Sequence, residues 1–459
     1  MTHPSLNLDS QASLTSCLNT PWFQIPISLT ASQIKSLLDS LDQSVLFDSG
    51  AEQKRGHFDI VSGNPLEIHR VDKEHPLKKM PIYSRPFTRT RLEIPENYKS
   101  LPFVCGMIGF CSYEFGAQLT IDMAQSLTSS RLPSAFFAHY TWSYVYDRQN
   151  KQGFVSFSPE CLPEARRKII HCLHNCLIEP VIKQDNNVCY SVNWHKKQDF
   201  SNYLDNFNQA LDYIEAGDCY QVNLAQQFES DFAGKASDLY FHLRKNLNTP
   251  YSSFFAFDED QHILCFSPEQ FIGIQQQKIK TSPIKGTAKN TDCKNNALNL
   301  ENSLKNQAEN LMIVDLMRND LSKVCQLNTV KVNQLFKLET YKNVHHLVSE
   351  IEGVLKAEFN EIEAFFACFP GGSITGAPKK RAMEVINELE TAGRDAYCGS
   401  VFYWNDDGQF DSNILIRTIV HSENKLYCWG GGGIVHDSLV DEEYQESLFK
   451  VANLTGIEE

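Results

Sequence analysis

The chain has 459 residues, of which 42% are hydrophobic and 21% charged, and its formal net charge is -14. This is the composition of an ordinary globular protein, and the acidic balance without a Lys/Arg block argues against nucleic acid as a partner. No apolar run approaches the roughly 18 residues of a membrane helix and the N-terminus lacks a signal-peptide pattern, so we expect a cytoplasmic protein.

The first 190 residues mix short strand patterns with helices and proline-marked loops. A helix is predicted over Arg166 to Ile178, and the polar stretch Lys183 to Asn187 is a candidate linker. The predicted helix contains a cluster of soft metal ligands: His171, Cys172, His174 and Cys176. These residues suit zinc, but they also suit a helix that packs its cysteines inward, and no second ligand segment is evident.

More regular patterns follow residue 190. Apolar residues at helical spacing predict a helix from Phe200 to Ile214, which Gly217 caps. Alternation after it predicts a strand in which Gln221 and Asn223 face the same way. Further strands are predicted at 253–257, 263–267, 271–274, 399–404 and 426–429, and helices at 305–317, 378–389 and 441–453. Pro378 is expected in the first turn of its helix. The pattern predicts an α+β fold with mostly antiparallel sheets.

Four segments concentrate Gly, Pro and reactive side chains between apolar runs: 267–271, 283–290, 370–381 and 429–438. Gly371 and Gly376 have the spacing of a phosphate loop, but Ala377 and Pro378 stand where such a loop needs Lys and Ser/Thr. The remaining interpretation is a pair of glycine-rich loops that bind carboxylates, and the alternative is tight turns alone. Arg417, in an otherwise apolar stretch, favours an anionic ligand because a buried cation needs a counter-charge.

Two residues of these segments are candidate catalysts. Lys285 is a possible nucleophile if its environment frees the lone pair, and Glu269 is a possible general acid, although each is also compatible with a solvated surface residue. Glu443 and Glu446 share a helix face with Lys450, which pairing within the helix explains equally well. With Glu309 they form a candidate Mg²⁺ site, if the two helices converge.

The ordered motifs resemble one known family. In chain order they are SPE, PIKGT, AENLMIVDLMRNDL, HLVSEIEG, PGGSITGAPK, YCGSVFYW, IRT, GGGIV and EYQE. This series is typical of chorismate-utilising enzymes and covers residues 200 to 454. The resemblance implies a large intertwined β-sandwich of two mostly antiparallel sheets with helices packed outside. It also implies a chorismate-binding catalytic region over 191–459, with an N-terminal region, 1–190, interleaved with it.

The resemblance also supplies residue roles. It implies that Lys285 attacks C2 of chorismate covalently and that Glu269 protonates the departing C4 hydroxyl. Glu309 and Glu446 match Mg²⁺ ligands, with Glu443 in support. Substrate-binding positions are matched by Gln221, His346, Thr375, Gly376, Tyr397, Arg417, Gly431, Gly432 and Gly433.

With a lysine in PIKGT, the chain resembles one branch of the family. That branch aminates chorismate to 4-amino-4-deoxychorismate, toward para-aminobenzoate and folate. Gln221 cannot act as a base that activates water. The branch uses ammonia, which implies a heterodimer with a separate glutamine amidotransferase subunit. Asp48 and Ser49 match a possible tryptophan pocket. Two alternatives remain: the large subunit of anthranilate synthase, which lacks this lysine, and a catalytically silent chorismate-fold subunit that binds or regulates.

Overall fold

The computed structural model describes residues 20–50, 55–72, 91–121, 131–178, 190–290, 295–340 and 344–457. Its strands form one sheet of 12 strands and one of 10. The strands in chain order are β1 Phe23–Pro26, β2 Val45–Asp48, β3 Phe58–Ser62, β4 Glu67–Val71, β5 Gly106–Cys111, β6 Ala135–Tyr140, β7 Trp142–Asp147, β8 Gln152–Phe157, β9 Ser191–Lys196, β10 Gln221–Ala233, β11 Tyr251–Ala256, β12 Gln261–Ser267, β13 Gln270–Gln275, β14 Lys278–Thr281, β15 Ile284–Lys289, β16 Lys331–Thr340, β17 Val344–Val354, β18 Gly376–Ala377, β19 Ser400–Asn405, β20 Phe410–Asn413, β21 Thr418–Ser422 and β22 Lys425–Ile434.

The helices lie around these sheets. They are α1 Ala31–Asp39, α2 Tyr113–Gln118, α3 Pro163–Ile178, α4 Phe200–Glu215, α5 Ala236–Arg244, α6 Asn295–Glu301, α7 Leu304–Val324, α8 Glu361–Cys368, α9 Lys379–Leu389 and α10 Val440–Thr455. In the described ranges no helix combines the length and the apolar character needed to span a membrane.

The first sheet has the strand order β1-β8-β7-β3-β2-β11-β12-β21-β22-β10-β18, with β9 also paired to β10. The second has the order β15-β17-β14-β13-β20-β19-β5-β6-β4, with β16 also paired to β17. Neighbouring strands pair antiparallel, for example β10 with β22 and β5 with β19. Strands from both sides of residue 190 share each sheet. The predicted α+β sandwich of two antiparallel sheets is confirmed.

The core lies where the two sheets face each other and beneath the helices. Aromatic side chains make edge contacts between the sheets: Phe47 with Tyr403, at 5.4 Å between ring centroids, and Phe136 with Phe255, at 5.6 Å. Such contacts hold large apolar surfaces in defined orientations. On the far face of the second sheet, Phe365 of α8 packs against Phe402.

Local patterns explain the elements that position the site. Helix α4 begins at the predicted Phe200, and the left-handed Gly217 follows its end. Strand β10 continues far beyond the predicted alternation, to Ala233, because it pairs with β22 over ten residues. Pro378 is the N-cap of α9 rather than part of its first turn. The prediction for Pro378 was therefore wrong by one position.

The soft-ligand cluster of α3 has a packing explanation. Cys172 and Cys176 are buried, and their sulfurs lie near Ser40 and Ser36 at α1. His171 is exposed on the opposite side of the helix. The two cysteines therefore behave as small core residues between two helices.

Candidate active site

Glu269 lies in the sharp connection between β12 and β13. The hydroxyl of Ser267 accepts a hydrogen bond from the Glu269 backbone N–H at 3.1 Å, and the Glu269 carbonyl accepts one from Ile414 N–H at 3.2 Å. These bonds fix the backbone, so the buried side chain points away from both strands in a defined direction. Its Oε1 accepts a hydrogen bond from Ser373 at 2.9 Å.

Burial raises the pKa of Glu269 to about 7, although the Ser373 hydroxyl and the charge of Lys285 both act to lower it. Removing a carboxylate from water penalises its charged form. A carboxyl with this pKa is partly protonated at neutral pH. It therefore has the property required of a general acid.

Lys285 lies on β15, the edge strand of the second sheet, and its side chain is half-buried. Burial lowers its pKa, and the nearby positive charge of Lys450 lowers it further. Glu309, Glu269 and Glu446 are close enough to oppose this effect. Lys285 thus has both the desolvation and the cationic neighbour that favour a neutral, nucleophilic amine.

Helix α10 lies directly on β22, where four glycines follow one another. A side chain at Gly430 would overlap the carbonyl oxygen of Ser447, and a Cβ at Gly432 would lie 3.0 Å from Glu443 Oε2 and 3.7 Å from Glu446 Oε1. The absence of side chains lets the helix approach the strand closely. We expected 429–438 to be a glycine-rich loop, but Gly430 to Gly433 are strand residues paired with β10. The loop prediction was wrong.

Lys450 is a residue of this region that the sequence analysis left without a role. Its ammonium donates to the Gly431 carbonyl at 2.9 Å and pairs with Glu446 at 2.6 Å. Its spacing from Glu446 explains that pair, but only the fold brings it close to Lys285. Ser373 was also missed, although it stands in a segment that had been singled out.

Three carboxylates converge beside this cluster. Burial raises the pKa of Glu443, and the nearby charges of Glu446 and Glu309 contribute to the increase. Ser438 and, at 3.8 Å, Lys305 also contact Glu443. In the described ranges no three His, Cys, Asp or Glu side chains form a ready-made metal cluster. Mg²⁺ commonly takes one or two carboxylates and completes its shell with substrate and water oxygens, so the donor set fits this ion.

A second group of predicted residues lies where β10 pairs with β18 and β22. Gln221 is buried, its Oε1 has no hydrogen-bond partner, and its side chain covers the face of Gly433. Gly376 has a φ of 145° and pairs with Val222. Thr375 donates its hydroxyl to the Gly371 carbonyl at 3.1 Å. The pairing thus joins two segments that are more than 150 residues apart.

His346 and Arg417 form a third group. Burial lowers the pKa of His346 to about 3, and the positive charge of Arg417 contributes. Burial also lowers the pKa of Arg417, whose backbone is left-handed with a φ of 52°. Among the described residues no carboxylate pairs with Arg417. An anionic ligand would supply the missing counter-charge.

Tyr397 is buried, and its ring stacks parallel to that of Trp429, with 6.3 Å between centroids. The indole Nε1 of Trp429 is buried without a hydrogen-bond partner. The pair lies next to the glycines of β22, at the end that faces away from Gly433. Tyr397 therefore lies beside the glycine strand.

Asp48 and Ser49 lie apart from these groups. Asp48 pairs with Arg244 at 2.7 Å and with Arg148 at 3.3 Å, while Ser49 hydrogen-bonds to Asp59. Burial acts to raise the pKa of Asp48, but the charges of Arg244 and Arg148 outweigh it and lower the pKa to about 2. The polar atoms of these two residues are engaged within the protein. The tryptophan pocket stays a prediction.

Comparison with known proteins decides the family. A model of the chorismate binding enzyme matches residues 42–456. The chain belongs to this family. Aminodeoxychorismate synthase component 1 of Klebsiella aerogenes is 39% identical over 91% of this chain and 94% of its own length, and its namesake from Escherichia coli strain K12 is 34% identical over 91% and 93%.

The fold also resembles that of a solved structure. The crystal structure of anthranilate synthase component I from Streptococcus pneumoniae TIGR4 superposes with a TM-score of 0.77 at 27% identity, covering 88% of this chain and 93% of that one. Chorismate-binding enzymes therefore share both its sequence motifs and its paired sheets.

Proposed function

We propose that this chain aminates chorismate to 4-amino-4-deoxychorismate, a step toward para-aminobenzoate and folate. The observation that carries the proposal is that Lys285 and Glu269 lie close enough for the charge of each to act on the pKa of the other. Their pKa values are shifted in opposite directions, that of the lysine down and that of the glutamate up to about 7. The two shifts favour a neutral amine and a protonated carboxyl, the two forms that covalent displacement with acid assistance uses. The names of the relatives at 34–39% identity agree with it.

In the first step, the lone pair of Lys285 Nζ forms a bond to C2 of chorismate. Both ring double bonds move by one bond toward C4, and the C4–O bond breaks. Glu269 gives its proton to the departing oxygen, which leaves as water, and the ionised Glu269 then takes up the proton that the attached amine loses. The negative charge that would develop on the leaving hydroxyl is thereby neutralised as it forms.

In the second step, ammonia attacks C4 and the ring double bonds shift back. The C2–N bond to Lys285 breaks, and the lysine takes up a proton as it leaves. The net reaction converts chorismate and ammonia into 4-amino-4-deoxychorismate and water. The enolpyruvyl ether stays intact, which distinguishes this reaction from anthranilate formation.

The surrounding residues bind and orient the substrate in this proposal. Arg417 and the backbone N–H groups near Thr375 and Gly376 would hold carboxylate oxygens, because a cation and N–H donors favour anions. Glu309 and Glu446, with Glu443 in support, would hold Mg²⁺, which neutralises a substrate carboxylate when bound. Gln221, His346, Tyr397 and the glycines of β22 would line the ring.

Ammonia would come from a glutamine amidotransferase subunit. The relatives are named component 1, which implies a second component. A cytoplasmic location and tryptophan binding stay predictions. A plant relative from Oryza sativa is named chloroplastic.

The test is to incubate the purified chain with chorismate, Mg²⁺ and an ammonium salt, without any partner, and to identify the product by mass and chromatography. We expect 4-amino-4-deoxychorismate from the wild type and from Lys278→Ala, a matched control at an exposed position of β14. Lys285→Ala should lose at least 100-fold in rate, the order of magnitude of covalent and acid-base contributions. Anthranilate as product, or an unchanged rate in Lys285→Ala, would refute the proposal.

A further inference from the structure

The hydrogen bond between Ser373 and Glu269 has a role beyond packing. We propose that Ser373 is a positioning residue that keeps the acidic proton of Glu269 on Oε2, the oxygen available to the substrate. The inference rests on the proposed function, in which Glu269 is the general acid. Ser373 belongs to the 3₁₀ turn Gly372–Ile374, and its Oγ lies 2.9 Å from Glu269 Oε1.

A neutral carboxyl has one O–H donor and one carbonyl oxygen that accepts. If the proton were on Oε1, Glu269 would donate to Ser373 and the serine hydrogen would need another acceptor. Within the described part of the chain, the structure gives Ser373 Oγ no acceptor except Glu269 Oε1. The reverse arrangement would leave a buried hydroxyl hydrogen unpaired, which is unfavourable. Ser373 therefore donates, and the proton of Glu269 remains on Oε2.

Both partners are held in place by their own backbones. The turn that bears Ser373 is closed by the bond from Thr375 Oγ1 to the Gly371 carbonyl. Gly372 is pressed against Leu316 of α7, where a Cβ would lie 2.5 Å from a side-chain methyl. Glu269 is fixed by the Ser267 bond described above. The two groups meet without rearrangement, so the orientation of the acid exists before substrate binds.

Four groups act on the Glu269 carboxyl. They are Ser373, Lys285 of β15, Lys450 of α10 and the backbone N–H of Ile284, and all of them favour the ionised form. Removing the Ser373 hydroxyl leaves the other three in place. The carboxyl then becomes harder to ionise, so the alkaline limb of the rate profile should move to higher pH.

The experiment compares Ser373→Ala with wild type in the ammonia-dependent reaction. We expect kcat to fall about tenfold with the KM for chorismate within twofold, since orientation of the acid is lost and binding is not. The alkaline limb of kcat should rise by about one pH unit, the size of one hydrogen bond to a charged group. Ser237→Ala, at a buried serine of α5, is the matched control and should keep wild-type kinetics.

A double-mutant cycle separates positioning from a general structural role. In a Glu269→Gln background, Ser373→Ala should change the residual rate by less than twofold, because no acid remains to be oriented. An equal tenfold fall in that background would overturn the proposal, as would an unchanged kcat and alkaline limb in Ser373→Ala itself. Ser373→Cys, with its weak donor, replaces Ser373→Ala if the latter does not fold. A Glu269→Gln enzyme with wild-type kcat would instead refute the acid assignment in the proposed function.

Discussion

Replacing Glu269 with glutamine should stabilise the fold while it removes activity. The carboxyl is buried and its pKa is raised to about 7 from an ordinary value of 4.5. A raised carboxyl pKa means that the folded state resists ionisation. The resulting penalty is absent well below pH 4.5, grows as pH rises through 4.5 to 7, and is complete above pH 7.

The size of the effect follows from linkage. The penalty is about 1 kcal/mol at pH 5.5 and about 3 kcal/mol at pH 8. Glutamine has nearly the same shape, can still accept the Ser373 hydrogen bond and cannot ionise. Glu269→Gln should therefore unfold about 3 °C higher than wild type at pH 8, with a gain about a third as large at pH 5.5.

The assay is thermal unfolding of both proteins across this pH range, followed by fluorescence, together with steady-state rates. Glu259→Gln, at an exposed turn, should show no pH-dependent difference from wild type. The rate of Glu269→Gln should fall by a factor of about 100 to 10,000, the contribution of a positioned acid. An equal or lower unfolding temperature at pH 8 would refute the argument that burial holds this carboxyl neutral.

Four further substitutions test the frame around the site and the site itself. Gly376→Ala should lose more than about 2 kcal/mol of stability in denaturant unfolding, because a Cβ there would overlap a strand carbonyl. Gly217 also has a positive φ but has free space around it, so Gly217→Ala should lose only about 1 kcal/mol in the same assay. Arg394→Met should cost about 3–5 kcal/mol in the same assay, because it leaves the buried carboxylate of Glu390, 2.6 Å away, without its cation. Arg417→Ala leaves no carboxylate without its cation, so the unfolding midpoint should stay unchanged. The KM for chorismate should rise about tenfold or more.

Local patterns were sufficient for the regular elements. The helix after Phe200 begins at the predicted residue, and the strands around Ile263 and Phe402 lie within about two residues of their predicted bounds. Their apolar periodicity is the same signal that buries one face in the fold. Strand β10 exceeded its prediction because pairing with β22 and β9, rather than its own alternation, sustains residues 226–233.

The glycines of β22 show where prediction of secondary structure from the local sequence fails. Four successive glycines have low strand propensity and indicate a loop. In the fold they are strand residues that pair with β10, and at Gly430 and Gly432 the helix α10 takes the space that side chains would occupy. Likewise, the motif order identified Lys285 and Glu269 as candidates. The effect of Lys450 on the pKa of Lys285 depends on a contact between residues 165 apart along the chain, and the hydrogen bond from Ser373 to Glu269 on one between residues 104 apart.

The place of α10 in the chain has a consequence for protein synthesis. Lys285 leaves the ribosome long before residues 440–455, which include the second lysine of the site. Until that helix docks on β22, Lys285 lacks its cationic neighbour and part of its cover, so its amine is closer to an ordinary, protonated one. If Lys285 is the nucleophile we propose, we expect its amine to reach full reactivity only after α10 has been synthesised and has docked on β22.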